Sequence, residues 1–190
     1  VEYESIVMQQ LTELWTNYGD LAEIWFDGGY STFKGDALSR LLNDTQPHAV
    51  IFNGCGLSPN AVAWIGTESG HAPGPVWNMQ TSCSSGAGTP FGNIWIPKEA
   101  DLTLQKDDTW FYQRNRGYRS IAEMAGIYHD TVGLGANMLL NVAPPINGTL
   151  PSDALSTYAA LGAWSKRCYG VGDIAARSAL ATTSCSVSCM

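Results

Sequence analysis

The sequence predicts an α/β fold built on a parallel sheet, on the scale of about half a (β/α)8 barrel. Three observations predict it. Segments with helical spacing of apolar residues alternate with short apolar runs along the chain. Polar residues stand just past three of those runs, at Asp27, Asn53 and Asn141, where a barrel delivers its functional side chains. The 190 residues supply four clear βα units, against the eight units and roughly 250 residues of a closed barrel.

Each element has its own signal. Residues 4–18 place Ile6, Val7, Leu11, Leu14, Trp15 and Tyr18 at approximately helical spacing, and Gly19 stops the helix. Ala22–Phe26 is a short apolar run ending in Asp27-Gly28-Gly29, the pattern of a buried parallel strand that feeds a polar loop. A second helix fits residues 36–44, with Leu38, Leu41 and Leu42 inward, and a second strand fits Ala49–Phe52. Residues 54–93 read as one long loop rich in Gly, Ser, Pro and Asn, a length usually reserved for function. Asn93–Pro97 is the third strand candidate, Ser120–Thr131 the third helix, Asn137–Val142 the fourth strand and Pro151–Lys166 the fourth helix. A fifth unit is a candidate around Cys168-Tyr169-Gly170. Residues 1–175 are therefore expected to form the partial barrel, and residues 176–190, rich in Ser, Thr and Ala, a linker or the start of a further domain.

Composition narrows the function. A net charge of −7 and no Lys/Arg cluster disfavour nucleic acid and anionic membrane surfaces, and no apolar run of about 18 residues is present to span a bilayer. Five cysteines lack metal-ligand spacing, so disulfides are the expected use, with at least one thiol over. Two sequons, at Asn43 and Asn147, join the cysteines in favouring a secreted, extracellular or lysosome-like location. No signal peptide is visible, and an opening at Val1 suggests a mature or truncated N-terminus. Gly86-Ala87-Gly88 lacks the Lys-Ser/Thr of a phosphate loop, and no Gly-x-Ser-x-Gly elbow occurs. No metal and no cofactor are implied.

Two carboxylates stand out. Asp27 closes an apolar strand, and Glu68 lies 41 residues later in the long loop. Glycoside hydrolysis needs such a pair, one to attack the anomeric carbon or activate water, the other to protonate the leaving oxygen. Asp27 would have to stay ionised, while Glu68, beside Trp64, would need a raised pKa. By position alone the pattern is only suggestive, and a chance strand-end Asp and loop Glu is the reading it favours.

The segment from Leu14 to Gly29, with Trp25-Phe26-Asp27-Gly28 at its heart, resembles the nucleophile segment of glycoside hydrolase family 29, the α-L-fucosidases. Three further segments match in order. Trp64-Ile65-Gly66-Thr67-Glu68-Ser69-Gly70 is similar to Trp-x-Gly-Asn-Glu-x-Gly, where the branch acting on α-1,3/1,4-linked fucose keeps its acid/base Glu. Pro97-Lys98-Glu99-Ala100-Asp101 is similar to Pro-x-Glu-x-Asp, and Trp110-Phe111-Tyr112 follows as in the family. Leu139-Leu140-Asn141-Val142-Ala143-Pro144 is similar to the closing Leu-Leu-Asn-Val-x-Pro. The chain departs from the family at Thr67, at Ala63 and at Gln105–Thr109, and the His-rich first strands have no counterpart.

The resemblance implies the C-terminal portion of a (β/α)8 TIM-like barrel, from about the fourth unit onward. It also implies a retaining α-L-fucosidase acting on a fucosylated glycan, with Asp27 as nucleophile and Glu68 as acid/base. Glu99 is the rival acid/base and otherwise a substrate ligand. Trp25, Trp64, His71 and Trp110 are candidate substrate contacts; core packing is the competing role for Trp25, and a solvated loop position for His71. Trp77 could stack on sugar, and His48 and His129 read as structural. The remainder of the barrel, from the same or another chain, is the implied partner. The alternative is a catalytically silent relative that binds carbohydrate or serves as an assembly subunit.

Overall fold

The computed structural model describes residues 2–28 and 35–170. They divide between two compact units, one drawn from residues up to 66 and from 73–99, the other from residues 67–72 and from 100 onward.

The first unit opens with α1 (Glu2–Asn17), β1 (Glu23–Trp25), α2 (Gly35–Thr45), β2 (Val50–Phe52) and β3 (Ala61–Trp64). Two short strands follow, β4 (Met79–Gln80) and β5 (Ile94–Trp95), paired antiparallel as a separate ribbon. The first two residues of β6 (Lys98–Thr103) also belong here. The main strands are parallel: Trp25 lies opposite Phe52, Phe52 opposite Val62, and Trp64 opposite Glu99. Alternation along a strand makes one face of Ile24 and Ile51, and these pack with Trp15, Leu38 and Leu42 of the helices. The other face carries Trp25, Phe52, Trp64 and Glu99. Gln46 fastens the end of α1 to the start of β1. Its Nε2 donates to the carbonyls of Trp15 (2.7 Å) and Gly19 (2.9 Å), and its Oε1 accepts from the Leu21 N–H (2.8 Å). The Trp15 carbonyl, in the last turn of α1 where no intrahelical donor remains, thus finds a partner.

The second unit holds the rest of β6, α3 (Ile121–Thr131), a 3-10 turn (Val132–Leu134), β7 (Ala136–Asn141) and α4 (Ser152–Tyr169). Ser120 caps α3, its hydroxyl accepting from the Glu123 N–H. β7 is hydrogen-bonded to β6, and the Leu104 N–H reaches the Asn141 carbonyl at 2.9 Å. Leu102, Met124, Ile127, Leu161 and Trp164 form the buried core.

The α/β fold with parallel strands is the one expected, and the four helices fall where their apolar spacing places them. Three strand assignments are corrected. The long loop 54–93 contains β3, which belongs to the main sheet. Asn93–Pro97 supplies only the ribbon strand Ile94–Trp95, and the sheet strand begins at Lys98, so Glu99 lies within a strand rather than past one. Cys168 and Tyr169, the candidate place for a fifth unit, belong to the end of α4. The expected linker at 176–190 lies outside the described residues. A disulfide joins Cys55 to Cys83, and Cys168 is also disulfide-bonded.

Lys98 is fully buried, and its Nζ has no hydrogen-bond partner among the described residues. Burial pushes the ammonium down from 10.5 to about 8, because removal from water penalises the charged form. Between those two values the unfolded chain binds more protons than the folded one, so stability rises with pH across that window; below about 8 the full penalty applies. Lys98→Met removes the charge while keeping the volume. It is expected to raise stability at neutral pH by about 1–3 kcal/mol and to flatten the alkaline rise. Urea denaturation at neutral and alkaline pH checks both effects.

Candidate active site

In the first unit the strands and their ends carry Trp25, Asp27, Trp64 and Glu99. Trp25, on the face away from the helices, stacks on Phe52 of the neighbouring strand with ring centroids 3.4 Å apart and planes 8° from parallel. Its indole Nε1 donates to Glu23 Oε1 at 2.7 Å and to Glu99 Oε1 at 3.1 Å. Glu99 is 1% exposed, so a charge-assisted bond there offsets part of the cost of burying a carboxylate. Asp27 stands exposed two residues beyond Trp25, past the C-terminal end of β1. Trp64, half-buried at the end of β3, is fixed through its backbone. Its N–H donates to Asn53 Oδ1 (3.1 Å) and its carbonyl accepts from the Gly86 N–H (2.8 Å).

In the second unit Glu68 is carried by the segment 67–72, and several bonds tie this segment down. The Gly70 N–H donates to the Asp101 carbonyl (3.1 Å) and the Ala72 N–H to the Asp130 carbonyl (3.2 Å). His71 Nδ1 lies 2.8 Å from Asp130 Oδ2 on α3, and the Thr67 hydroxyl donates to the His71 carbonyl (2.7 Å). Glu68 itself is exposed, and its Oε2 accepts from Trp110 Nε1 at 3.0 Å. Trp110 is held in turn by Asn141 at the end of β7, whose Nδ2 donates to the Trp110 carbonyl at 2.8 Å. A chain of two bonds therefore runs from a strand end to one oxygen of this carboxylate.

The structure brings together residues that the sequence singles out separately: Trp25 with Glu99, and Trp110 with Glu68. His71 is engaged by Asp130, a residue without any motif to mark it. Asn53 and Asn141, visible in the sequence as polar residues past strand ends, act as backbone clamps. Of the two sequons, Asn43 is exposed on α2, and Asn147 lies in an exposed turn where its Oδ1 accepts from the Thr149 N–H (3.1 Å). Among the described residues no group of three His, Cys, Asp or Glu could hold a metal ion, and no helix is long and apolar enough to cross a membrane.

Comparison with known proteins places this architecture. The α-L-fucosidase family model matches residues 1–170. Alpha-L-fucosidase 1 of Arabidopsis thaliana is 31% identical over 166 residues, covering 79% of this chain and 32% of its own length. Alpha-L-fucosidase isoenzyme 1 of Paenibacillus thiaminolyticus superposes with a TM-score of 0.62 at 25% identity, over 89% of this chain and 40% of that one. A GH29 fucosidase of Ruminococcus gnavus, solved in complex with fucose, has the same fold, with a TM-score of 0.76 at 22% identity over 89% of this chain and 39% of that one. The chain thus spans about a third of the length of the curated relatives it matches, and its fold is that of part of a (β/α)8 barrel. It belongs to the α-L-fucosidase family, glycoside hydrolase family 29.

Proposed function

We propose that the protein is a retaining α-L-fucosidase that removes α-linked L-fucose from glycans. The observation that carries the reading is the Trp110–Glu68 hydrogen bond, at 3.0 Å, in a family chain whose strand end presents Asp27. Asp27 attacks the anomeric carbon while the bond to the glycosidic oxygen breaks, and Glu68 delivers its proton to that oxygen. Because Trp110 occupies Oε2, the transferable proton resides on Oε1. After the sugar aglycone leaves, the same N–H stabilises the Glu68 carboxylate as it takes a proton from water. That water attacks the anomeric carbon, and Asp27 is released. The remainder of the barrel, from the same protein or another chain, completes the fucose pocket. The Cys55–Cys83 disulfide supports a secreted or lysosome-like location.

Glu68→Ala tests the assignment. A fucosylated oligosaccharide, whose leaving group needs a proton, should be cleaved about 10²–10⁴-fold more slowly by the variant. Fucosyl fluoride, whose leaving group needs none, should lose far less, and azide should restore turnover. Equal losses on both substrates, or this signature in Glu99→Ala instead, would remove Glu68 from the role.

A further inference from the structure

The β4–β5 ribbon of the first unit carries a surface that hydrolysis of the fucosyl bond does not use. Trp95 sits directly opposite Met79 in the antiparallel register, so the two share a face, while the alternate positions Gln80 and Ile96 are buried. Trp95 is 68% exposed, Trp77 is 48% exposed and Phe91, on the turn between the strands, is 87% exposed. Three large aromatic rings are thus exposed on the ribbon, on its turn and just before it, where single scattered apolar side chains are the ordinary case.

The scaffold beneath them is rigid. A Cβ on Gly92 would lie 2.3 Å from the Gln80 nitrogen, so the turn packs backbone against backbone and admits only glycine. The Thr89 and Ile96 N–H groups donate to the Met79 and Asn78 carbonyls at 2.8 and 3.0 Å. The ribbon is also continuous with the strand-end face. Gly86 donates to the Trp64 carbonyl, and the Trp77 N–H donates to the neighbouring Ala87 carbonyl at 2.9 Å.

The charge pattern selects the partner. From Ala72 to Pro97 the chain contains no Asp, Glu, Lys or Arg, although it is acidic overall. What this segment offers besides its aromatics is hydroxyls and amides, and Ser84 and Ser85 line a pocket of about 200 Å³ with Asn53 and the Cys55–Cys83 pair. A charged peptide, an acidic polysaccharide or a nucleic acid finds no complementary ion here. A neutral sugar does find its match, because a pyranose presents an apolar C–H face to an indole and hydroxyls at its rim.

We infer that the Trp77–Trp95 ribbon binds neutral pyranose units of the glycan on the leaving-group side of the fucosyl bond. The inference rests on the fucosidase reading for the words "leaving-group side" alone. The test therefore uses sugars with no scissile fucose, whose binding stands or falls with the ribbon. Lactose, N-acetyllactosamine and cellobiose are titrated against the protein by ligand-observed NMR, in parallel with Trp77→Ala, Trp95→Ala and Trp95→Phe. At least one disaccharide should bind saturably. Either alanine variant should weaken it about tenfold, the loss of one stacking contact, and Trp95→Phe should recover most of the affinity. Absence of binding to all three sugars, or unchanged affinity in both alanine variants, overturns the proposal. So does a change of self-association in Trp95→Ala with no change in sugar binding, because another copy of the chain would then be the occupant. Sugar binding by the ribbon in a protein that cleaves no fucoside would uphold the surface and sink the hydrolase.

Discussion

Asp27→Ala in the intact protein is expected to lower kcat/KM for an aryl α-L-fucoside by at least about 10³-fold, the order seen when a covalent nucleophile is removed. An aryl leaving group departs with little help from an acid, so the loss isolates the attacking carboxylate. The fold should tolerate the change. Asp27 is exposed beyond β1, and exposed substitutions away from special features shift stability by no more than about 0.5 kcal/mol. Initial rates and a denaturation curve on the same sample separate the two effects. Full turnover in the variant would remove Asp27 from the chemistry, whatever the family.

Gly70→Ala is expected to have the largest effect on the architecture around Glu68. Gly70 has φ +78°, and a Cβ there would lie 2.7 Å from Ile127 Cγ2 and 2.9 Å from Leu102 Cδ1. Both neighbours are fully buried members of the second core, so neither can step aside cheaply. Overpacking of about 1–3 kcal/mol and a left-handed backbone penalty of about 1–2 kcal/mol add to roughly 2–5 kcal/mol. The strain can be relieved by letting the 67–72 segment lift, which breaks the Gly70–Asp101 bond and carries Glu68 with it. Urea denaturation should show the lost stability, and the rate on an unactivated fucosylated oligosaccharide should fall more than the rate on fucosyl fluoride. A variant as stable and active as the parent would mean that the segment is not seated as described.

The helices were legible because their apolar residues recur at helical spacing: Leu38 and Leu42, like Met124 and Ile127, are one turn apart and buried. Two strands of the main sheet were not legible, for different reasons. β3 reads Ala-Val-Ala-Trp, and alanines carry little apolar signal inside a long Gly/Ser/Pro stretch. β6 reads Lys-Glu-Ala-Asp-Leu-Thr and is buried at every position. A charged run ordinarily faces water, and only the tertiary setting places Lys98, Glu99 and Asp101 inside. The apolar pair Ile94–Trp95 meanwhile imitates a core strand although it belongs to the exposed ribbon.

The candidate site was legible as residue types and illegible as partnerships. Motif resemblance points to Glu68, Glu99 and Trp110. No local spacing could reveal that Trp110 meets Glu68 across 42 residues, or that Trp25 meets Glu99 across 74. His71 carries a second lesson. Its closeness in sequence to Glu68 suggests a rim or a tuning role, yet its ring engages Asp130, 59 residues away, and that contact helps to anchor the loop.

The covalent bond proposed between Asp27 and fucose can be trapped. The protein is treated with a 2-deoxy-2-fluoro-fucosyl fluoride, digested, and its peptides mapped by mass spectrometry. A single fluorofucosyl adduct on the Asp27 carboxylate is the expected result. An adduct on Glu99 or another side chain, or release of product with inverted configuration and no adduct at all, would contradict it.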